Sequence, residues 1–215
     1  MVAQYFAQVD TWVFDLDNTL YPPSADLFGL MDERFANYVK RLTGLERAEA
    51  LALCRQYWHE HGSTLRGLMD QHDVDPHEFL ADVHDIDISH LSPDLALNDS
   101  LAKLAGSRIV YTNGSRNHAE RVLKARGLNR LFDAIFSIED AEFTAKPQRA
   151  AFDTVFAKAG ITPRSAAMFE DEERNLVVPH ALGVRTVHVH PTPTQADHIH
   201  HHTDDLADFL SHLSR

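Results

Sequence analysis

Short apolar runs and helical patterns alternate over much of the chain. Residues 11–14 are mostly apolar or aromatic and predict a buried strand. Four later runs predict further strands, at residues 108–112, 134–138, 166–169 and 184–187. Helical spacing of apolar residues separates these runs. Strands that alternate with helices are joined by crossover connections, so we expect an α/β protein with a doubly wound, mostly parallel sheet.

The segment after the first predicted strand has a different pattern. Apolar residues recur at three- and four-residue spacing from Leu27, which predicts a helix that ends at Gly44. Similar spacing predicts three further helices, and no strand pattern interrupts them. We therefore expect residues 22–91 to form a helical insertion. Residues 1–21 and 92–215 would form the core that contains the sheet.

Composition limits the partners that the chain could bind. Its 215 residues include 32 Asp and Glu against 20 Lys and Arg, for a formal net charge of −12. Nucleic acid and anionic membranes attract basic faces, so we expect neither as a partner. The single Cys54 allows no internal disulfide and suits a reducing compartment. We see no signal peptide and no run near the ~20 apolar residues that span a bilayer, so we expect a cytoplasmic protein. The sequence does not indicate the oligomeric state of the protein.

Polar side chains follow several of the predicted strands. They are Asp15 and Asp17, the run Thr112 to Ser115, Lys146 before a proline, and the run Glu170 to Glu173 with Asn175. The carboxyl ends of parallel strands share one edge of a sheet, so we expect these groups to lie together. Crowded carboxylates repel one another unless a cation offsets the repulsion. Each motif alone is also typical of a turn, a surface lysine or an acidic helix start.

Together the motifs resemble those of haloacid dehalogenase-like hydrolases. The run DLDNTL at residues 15–20 is similar to the first motif of the phosphatases in that superfamily. Thr112, Lys146 and the pair Glu170-Asp171 are similar to the second, third and fourth motifs. The resemblance implies a Rossmann-like core with an inserted α-helical cap. More narrowly, the runs DLDNTLYP, HDID, YTNGS and FED resemble the pyrimidine 5′-nucleotidase branch.

The resemblance and the chemistry of phosphoryl transfer imply a role for each motif residue. Asp15 would be the nucleophile that forms an aspartyl phosphate, and Asp17 the general acid and base. Lys146 would complete the catalytic set by neutralising phosphate and keeping Asp15 ionised. The implied Mg²⁺ ligands are Asp15, the backbone carbonyl of Asp17, Asp171, and Glu170 either directly or through water. The implied substrate-binding residues are Asn18, Thr112, Asn113, Gly114, Lys146, His84, Arg66 and Tyr21.

Several assignments stay open at this point. The residue after the fourth-motif aspartate is usually small or hydroxylic in the superfamily, but here it is Glu172. Either Glu170 or Glu172 could therefore assist Asp171 at the metal. His84, Arg66 and Tyr21 also fit purely structural roles.

Histidines are frequent near the end of the chain. They are His188, His190, His198, His200, His201 and His202. Such a group could bind a transition metal, but its spacing matches no closed site. We therefore expect a solvated loop and edge strand.

These features predict a Mg²⁺-dependent phosphomonoester hydrolase whose cap closes over a small phosphorylated metabolite. The subfamily resemblance favours pyrimidine nucleoside 5′-monophosphates. Sugar phosphates or other small phosphoesters are the alternative within the same class. A noncatalytic module that binds phosphorylated ligands is the alternative of another class, although neither Asp15 nor Lys146 is lost. Retention of Asp17 disfavours a carbon–halogen dehalogenase.

Overall fold

A computed structural model describes residues 2–213 and contains one six-stranded sheet. The strands lie in the order β3-β2-β1-β4-β5-β6, and each neighbouring pair is parallel. They are β1 (Thr11–Phe14), β2 (Ser107–Tyr111), β3 (Ala134–Phe136), β4 (Ala166–Glu170), β5 (Arg185–Val189) and β6 (His201–Thr203). The five predicted strands are confirmed with small shifts at their ends. The short edge strand β6 adds a sixth.

Helices separate strands β1 to β5 along the chain. They are α1 (Leu27–Thr43), α2 (Arg47–His61), α3 (Thr64–His72), α4 (Pro76–Val83), α5 (Leu95–Ala102), α6 (Arg116–Ala125), α7 (Arg149–Ala159), α8 (Val177–Leu182) and α9 (Leu206–Ser211). Short 3₁₀ turns occur at Val2–Phe6, Pro23–Ala25, Pro163–Ser165 and Glu173–Leu176. The predicted doubly wound, Rossmann-like α/β class is confirmed. In the described range, no helix has both the length and the apolar character needed to cross a bilayer.

Strand alternation divides the apolar residues between two layers. Trp12 and Phe14 of β1 join one buried cluster with residues of α5, α6 and α9. Val13 between them points to the opposite face and joins a second cluster, with Phe152 and Val155 of α7. This division follows from the two-residue period of a strand. It buries Trp12, Val13 and Phe14 of β1, which is a central strand, so the polar residues that follow β1 emerge in the middle of the sheet edge.

The four predicted helices between residues 22 and 91 are confirmed as α1 to α4. They enclose a third apolar cluster that includes Val39, Leu68 and Phe79, each almost fully buried. Leu27 and Met31 at the start of α1 belong instead to a sheet cluster. The helical block is thus packed onto the sheet layer at one end. The division into a core and a cap with the boundaries given above stays a prediction.

Gly67 lets α3 approach α2 closely. An added Cβ at this position would overlap the ring of Tyr57. We expect Gly67→Ala to lower the free energy of unfolding by about 1–3 kcal/mol, because overpacking outweighs the gain of about 1 kcal/mol in helix propensity. Urea unfolding at neutral pH measures the change. Gln71→Ala on the exposed side of α3 is the control and should stay near wild type. A Gly67→Ala protein as stable as wild type would contradict this packing.

Candidate active site

The ends of β1, β2 and β4 bring the predicted motif residues together. Phe14 at the end of β1 lies opposite Val110 of β2 and Phe169 of β4. The backbone N–H of Asp15 still donates to the carbonyl of Phe169, at 2.9 Å, so the pairing extends one residue beyond the strand. Asp15 therefore lies beside the residues that follow β4.

Lys146 is buried between two carboxylates. Its Nζ lies 2.6 Å from Oδ1 of Asp15 and 2.6 Å from Oε2 of Glu170, and it also donates to the Tyr111 carbonyl at 3.1 Å. The lysine is only 1% exposed. Burial disfavours its charged form, but the two ion pairs outweigh burial and raise the pKa of Lys146 above its ordinary value. This side chain therefore remains an ammonium group.

Asn113 fixes the loop that carries Lys146. Its Oδ1 accepts from the backbone N–H of Lys146 at 2.8 Å, and its Nδ2 donates to the Lys146 carbonyl at 3.1 Å. This reciprocal pair satisfies both backbone groups of the lysine. Since Asn113 follows β2, it attaches the lysine loop to the sheet edge.

Asp15, Glu170 and Asp171 form an acidic cluster. One oxygen from each lies within 4.8 Å of the other two, and no other such group of three or more His, Cys, Asp or Glu occurs within residues 2–213. Burial and the charge of Glu170 raise the pKa of Asp15 to about 8. Burial, Glu170 and Asp15 raise the pKa of Asp171 to about 9. A bound divalent cation would remove this repulsion, so the cluster fits a hard, oxygen-liganded metal.

Within the fourth motif, Glu170 is already held by three donors. Lys146 donates to Oε2, while Oε1 accepts from Nδ2 of Asn175 at 3.1 Å and from the backbone N–H of Glu172 at 3.3 Å. Asp171 accepts from Nδ2 of Asn18 at 3.2 Å. The side chain of Glu172 is not part of the acidic cluster. The carboxylates of Asp15 and Asp171 therefore accept fewer hydrogen bonds than that of Glu170, which leaves their oxygens more available to a metal.

Asp17 has different surroundings from Asp15. Its Oδ1 accepts from the Tyr21 hydroxyl at 2.7 Å and lies 2.8 Å from Nε2 of His118. Its Oδ2 faces the Thr112 hydroxyl at 3.4 Å. Burial alone would raise the pKa of Asp17, but His118 and Tyr21 outweigh burial and lower it to about 2. Asp17 is therefore ionised in the unliganded protein.

Thr112 and Gly114 form a compact turn beside Asp17. The backbone N–H of Gly114 donates to Oγ1 of Thr112 at 2.9 Å. A Cβ on Gly114 would lie 3.2 Å from that hydroxyl and 3.2 Å from the His118 ring. Glycine therefore leaves the room that the turn needs. Thr112, Asn113 and Gly114 all line the adjacent cavity.

A cavity of about 460 Å³ lies between the sheet edge and helices α1 to α4. Its floor includes Asp15, Asp17, Asn18, Lys146, Glu170 and Asp171. Its walls are largely apolar and include Phe28, Met31, Phe35, Leu65, Phe79 and Leu80. Trp58 of α2 and Arg174 of the core meet across it, with the guanidinium carbon 3.2 Å from the indole centroid. The cavity has the size and lining of a site for a small metabolite.

The three predicted substrate-binding residues in or next to the helical insertion, His84, Tyr21 and Arg66, have different positions. His84 lines the cavity. Tyr21 is buried and reaches Asp17 instead of the cavity lining. The expectation for Arg66 is not supported by its position: it pairs with Asp70 at 2.9 Å, one turn further along α3, and does not line the cavity.

Two histidines near the site were missed as site residues. His118 follows the second motif on α6 and reaches Asp17 because Ser115 caps that helix and sets its start beside the turn. His188 was expected in a solvated loop or edge strand, but it is buried in β5 between two neighbouring strands. Its Nε2 lies 2.8 Å from the backbone carbonyl of Asp171 and supports the acidic loop.

Fold and site together define an α/β protein with a carboxylate and lysine centre at the edge of a doubly wound sheet. Residues 9–182 match the family of haloacid dehalogenase-like hydrolases. The chain therefore belongs to this family.

Individual proteins also match this chain. Phosphate metabolism protein 8 of Saccharomyces cerevisiae is 31% identical over 180 residues, which cover 76% of this chain and 56% of the yeast protein. The chain thus spans little more than half the length of that relative. A HAD phosphatase from Thermococcus onnurineus has a TM-score of 0.64 at 16% identity, covering 95% of this chain and 98% of that one. The putative HAD-hydrolase YfnB from Bacillus subtilis, bound to magnesium, has a TM-score of 0.62 at 14% identity, with the same coverage. At these identities the two structures show the shared fold alone.

His84 makes the stability of the fold sensitive to acid. Burial and the neighbouring His118 lower the pKa of His84 from 6.5 to about 3, and its Nδ1 lies 3.0 Å from the Leu80 carbonyl. Below pH 6.5 the unfolded chain protonates this histidine while the folded protein does not. The free energy of unfolding should therefore fall by up to about 1.4 kcal/mol per pH unit between pH 6 and pH 4 on this account.

Two variants test this dependence by urea unfolding at pH 7 and pH 5. His84→Asn keeps a donor for Leu80 but removes the titrating group, so its loss of stability between the two values should be smaller than that of wild type. His59→Asn, at an exposed histidine of α2, is the control and should follow wild type. Equal losses in wild type and His84→Asn would refute the assignment.

Proposed function

We propose that this protein is a Mg²⁺-dependent phosphomonoester hydrolase that works through an aspartyl phosphate on Asp15. The observation that carries the proposal is the position of Lys146 between Asp15 and Glu170, beside the acidic residue Asp171. A nucleophilic carboxylate that approaches a phosphate must overcome repulsion between like charges. A buried ammonium and a cation-binding cluster at the same place reduce that repulsion.

The donor set fits Mg²⁺. Asp15 and Asp171 would supply carboxylate oxygens, the Asp17 carbonyl a backbone oxygen, and Glu170 a contact through water. When bound, the ion would neutralise phosphate oxygens and lower the raised pKa values of Asp15 and Asp171. His188 would hold the Asp171 backbone in place through its carbonyl.

Asp15 and Asp17 divide the chemical work in this proposal. A carboxylate oxygen of Asp15 attacks phosphorus in line, and the bond from phosphorus to the leaving oxygen breaks. Asp17 gives a proton to that oxygen and later removes one from the water that hydrolyses the aspartyl phosphate. The ionised state of Asp17 in the unliganded protein suits the second step. A phosphate group bound near Oδ2 adds negative charge and raises the pKa of Asp17 toward the value that the first step needs.

The second and third motifs would hold the phosphate. Lys146 provides the charge, while Thr112 and the backbone of Asn113 and Gly114 provide donors at the cavity floor. Asn18 would position Asp171 through its hydrogen bond. His84 would contact the part of the substrate that extends toward α4.

One comparison supports phosphate chemistry, because the yeast relative is named for phosphate metabolism. We propose pyrimidine nucleoside 5′-monophosphates as substrates because of the subfamily resemblance, and sugar phosphates as the alternative. The net charge and the single cysteine are consistent with a cytoplasmic enzyme that acts on metabolites and not on nucleic acid.

Phosphate release from a panel of nucleotides and sugar phosphates tests this function. We expect turnover of UMP or CMP with Mg²⁺ and none with a chelator. Asp15→Asn should lower turnover by at least about a thousandfold, because it removes the nucleophile. Unchanged turnover in Asp15→Asn would exclude the proposed nucleophile. Faster turnover of sugar phosphates than of nucleotides would show that the proposed substrate class is wrong and leave the proposed mechanism unchanged. Binding of phosphoesters without any turnover would favour a noncatalytic binding module.

A matched pair of variants tests the metal assignment. Asp171→Asn should raise the Mg²⁺ concentration for half-maximal activity by more than about tenfold, since even supporting groups around metal ligands contribute about 10–100-fold to affinity. Glu172→Gln removes the neighbouring acid, which lies outside the cluster, and should change this concentration little. Activity of both variants is measured over a Mg²⁺ titration at constant pH. The reverse order of effects would assign the ligand to Glu172.

A further inference from the structure

The two carboxylate oxygens of Asp17 have unequal surroundings. Oδ1 lies within hydrogen-bond distance of both Tyr21 and His118, whereas the one hydrogen-bonding group that faces Oδ2 within residues 2–213 is the Thr112 hydroxyl, at 3.4 Å. An ionised carboxylate only accepts, so Nε2 of His118 carries the hydrogen in this contact. We infer that His118 is a positioning residue that, with Tyr21, anchors Oδ1 and leaves Oδ2 as the oxygen that exchanges protons with the substrate.

His118 is itself held rigidly. It is fully buried, and its ring stacks on that of His84 with centroids 4.6 Å apart and planes 21° from parallel. Gly114 leaves room for its edge, since a Cβ there would lie 3.2 Å from Cδ2 of His118. A ring fixed on these sides cannot follow Asp17 if the carboxylate turns. It therefore sets the rotamer of Asp17.

The same helix fixes the segment that joins α4 to the core. Arg121, one turn after His118 on α6, donates to the backbone carbonyls of His84 and Ile86, both at 2.7 Å. His84 thus touches α6 twice, through its ring and through its backbone. The position of Asp17 is consequently tied to the place where the helical insertion rejoins the sheet layer.

The inference rests on the proposed phosphomonoesterase function and assigns one role within it. In the first step the phosphorus–oxygen bond to the leaving group breaks, and its electron pair stays on the leaving oxygen. The proton on Oδ2 of Asp17 passes to that oxygen, while a bond forms between Asp15 and phosphorus. His118 exchanges no proton with substrate, and it acts by keeping Oδ2 directed at the leaving oxygen.

Leaving groups of different basicity separate this role from a general structural one. An alkoxide needs a proton as it leaves, whereas p-nitrophenolate leaves without one. Removal of the His118 donor should therefore slow hydrolysis of an alkyl phosphate much more than hydrolysis of p-nitrophenyl phosphate. A general acid contributes about 10²–10⁴-fold, so we expect at least a tenfold fall in kcat/KM for the alkyl ester and less than about threefold for the aryl ester. The ratio kcat/KM is compared because it excludes the later hydrolysis of the aspartyl phosphate, in which Asp17 also acts and which both esters share.

Two polar variants of similar size provide the comparison. His118→Gln places an amide donor at nearly the reach of Nε2 and should retain most activity on the alkyl ester. His118→Asn has a shorter side chain that cannot reach Oδ1 and should show the selective loss. Tyr21→Phe removes the other donor to Oδ1 and should show the same selectivity, so the test does not depend on one variant folding. Circular dichroism and the Mg²⁺ requirement report whether each variant keeps its fold and metal site.

Each outcome decides the inference. Equal losses of kcat/KM on both esters in folded His118→Asn and Tyr21→Phe would assign the two residues a structural role only and overturn it. Full activity of both variants on the alkyl ester would also overturn it. If wild type hydrolyses both esters but neither variant shows the selective loss, the inference is wrong and the proposed function still stands. If wild type hydrolyses neither of these esters nor any ester of the nucleotide and sugar phosphate panel, the proposed function fails and the inference falls with it.

Discussion

The rest of the site depends on the buried ammonium of Lys146. Three carboxylates gather at the sheet edge, and among them Asp15 and Glu170 each lie 2.6 Å from this one nitrogen. A buried charge is costly unless it is paired and hydrogen-bonded, and removal of one partner leaves the others uncompensated. The order of the strands serves this constraint, because β1 lies between the two strands whose ends carry the other motif residues. The lysine comes from a loop, which Asn113 attaches to the same edge.

Two aspartates separated by one residue are thereby given opposite properties. Asp15 has a pKa raised to about 8, since burial and neighbouring acids outweigh Lys146. Asp17 has a pKa lowered to about 2, since His118 and Tyr21 outweigh burial. Environments that separate the pKa values of neighbouring carboxylates are typical of sites that assign them different tasks. A cation beside Asp15 would complete the separation by making it an ionised nucleophile.

The sequence predicted the parts of the structure that depend on local pattern. Short apolar runs that alternate with helical patterns indicated the sheet. The polar residues after these runs indicated the edge at which Asp15, Thr112 and Asp171 meet, because parallel strands bring their ends together. The sequence pattern does not show where each helix packs against the rest of the protein. His118 reaches Asp17 only because α6 starts beside the Thr112 turn, and no spacing in the chain reveals that distance. Arg66 was predicted to contact the substrate, whereas it forms an ion pair with Asp70, one turn further along α3.

The histidines of β5 and β6 show a related limit. The composition of this segment, with its many histidines, favours either a metal site or a solvated loop. In the structure, however, His188 is buried and supports the Asp171 backbone. Its role depends on the register of β5 against β4, where His188 lies opposite Glu170. Register is a property of the assembled sheet and cannot be found from one strand.

Mass spectrometry of the acid-quenched reaction tests the central claim most directly. Wild-type protein mixed with Mg²⁺ and a phosphomonoester that it hydrolyses should carry a phosphoryl group on the peptide that contains Asp15. The group should be absent after addition of a chelator before the substrate. Turnover without a phosphorylated peptide, or a phosphoryl group on a residue other than Asp15, would contradict the account.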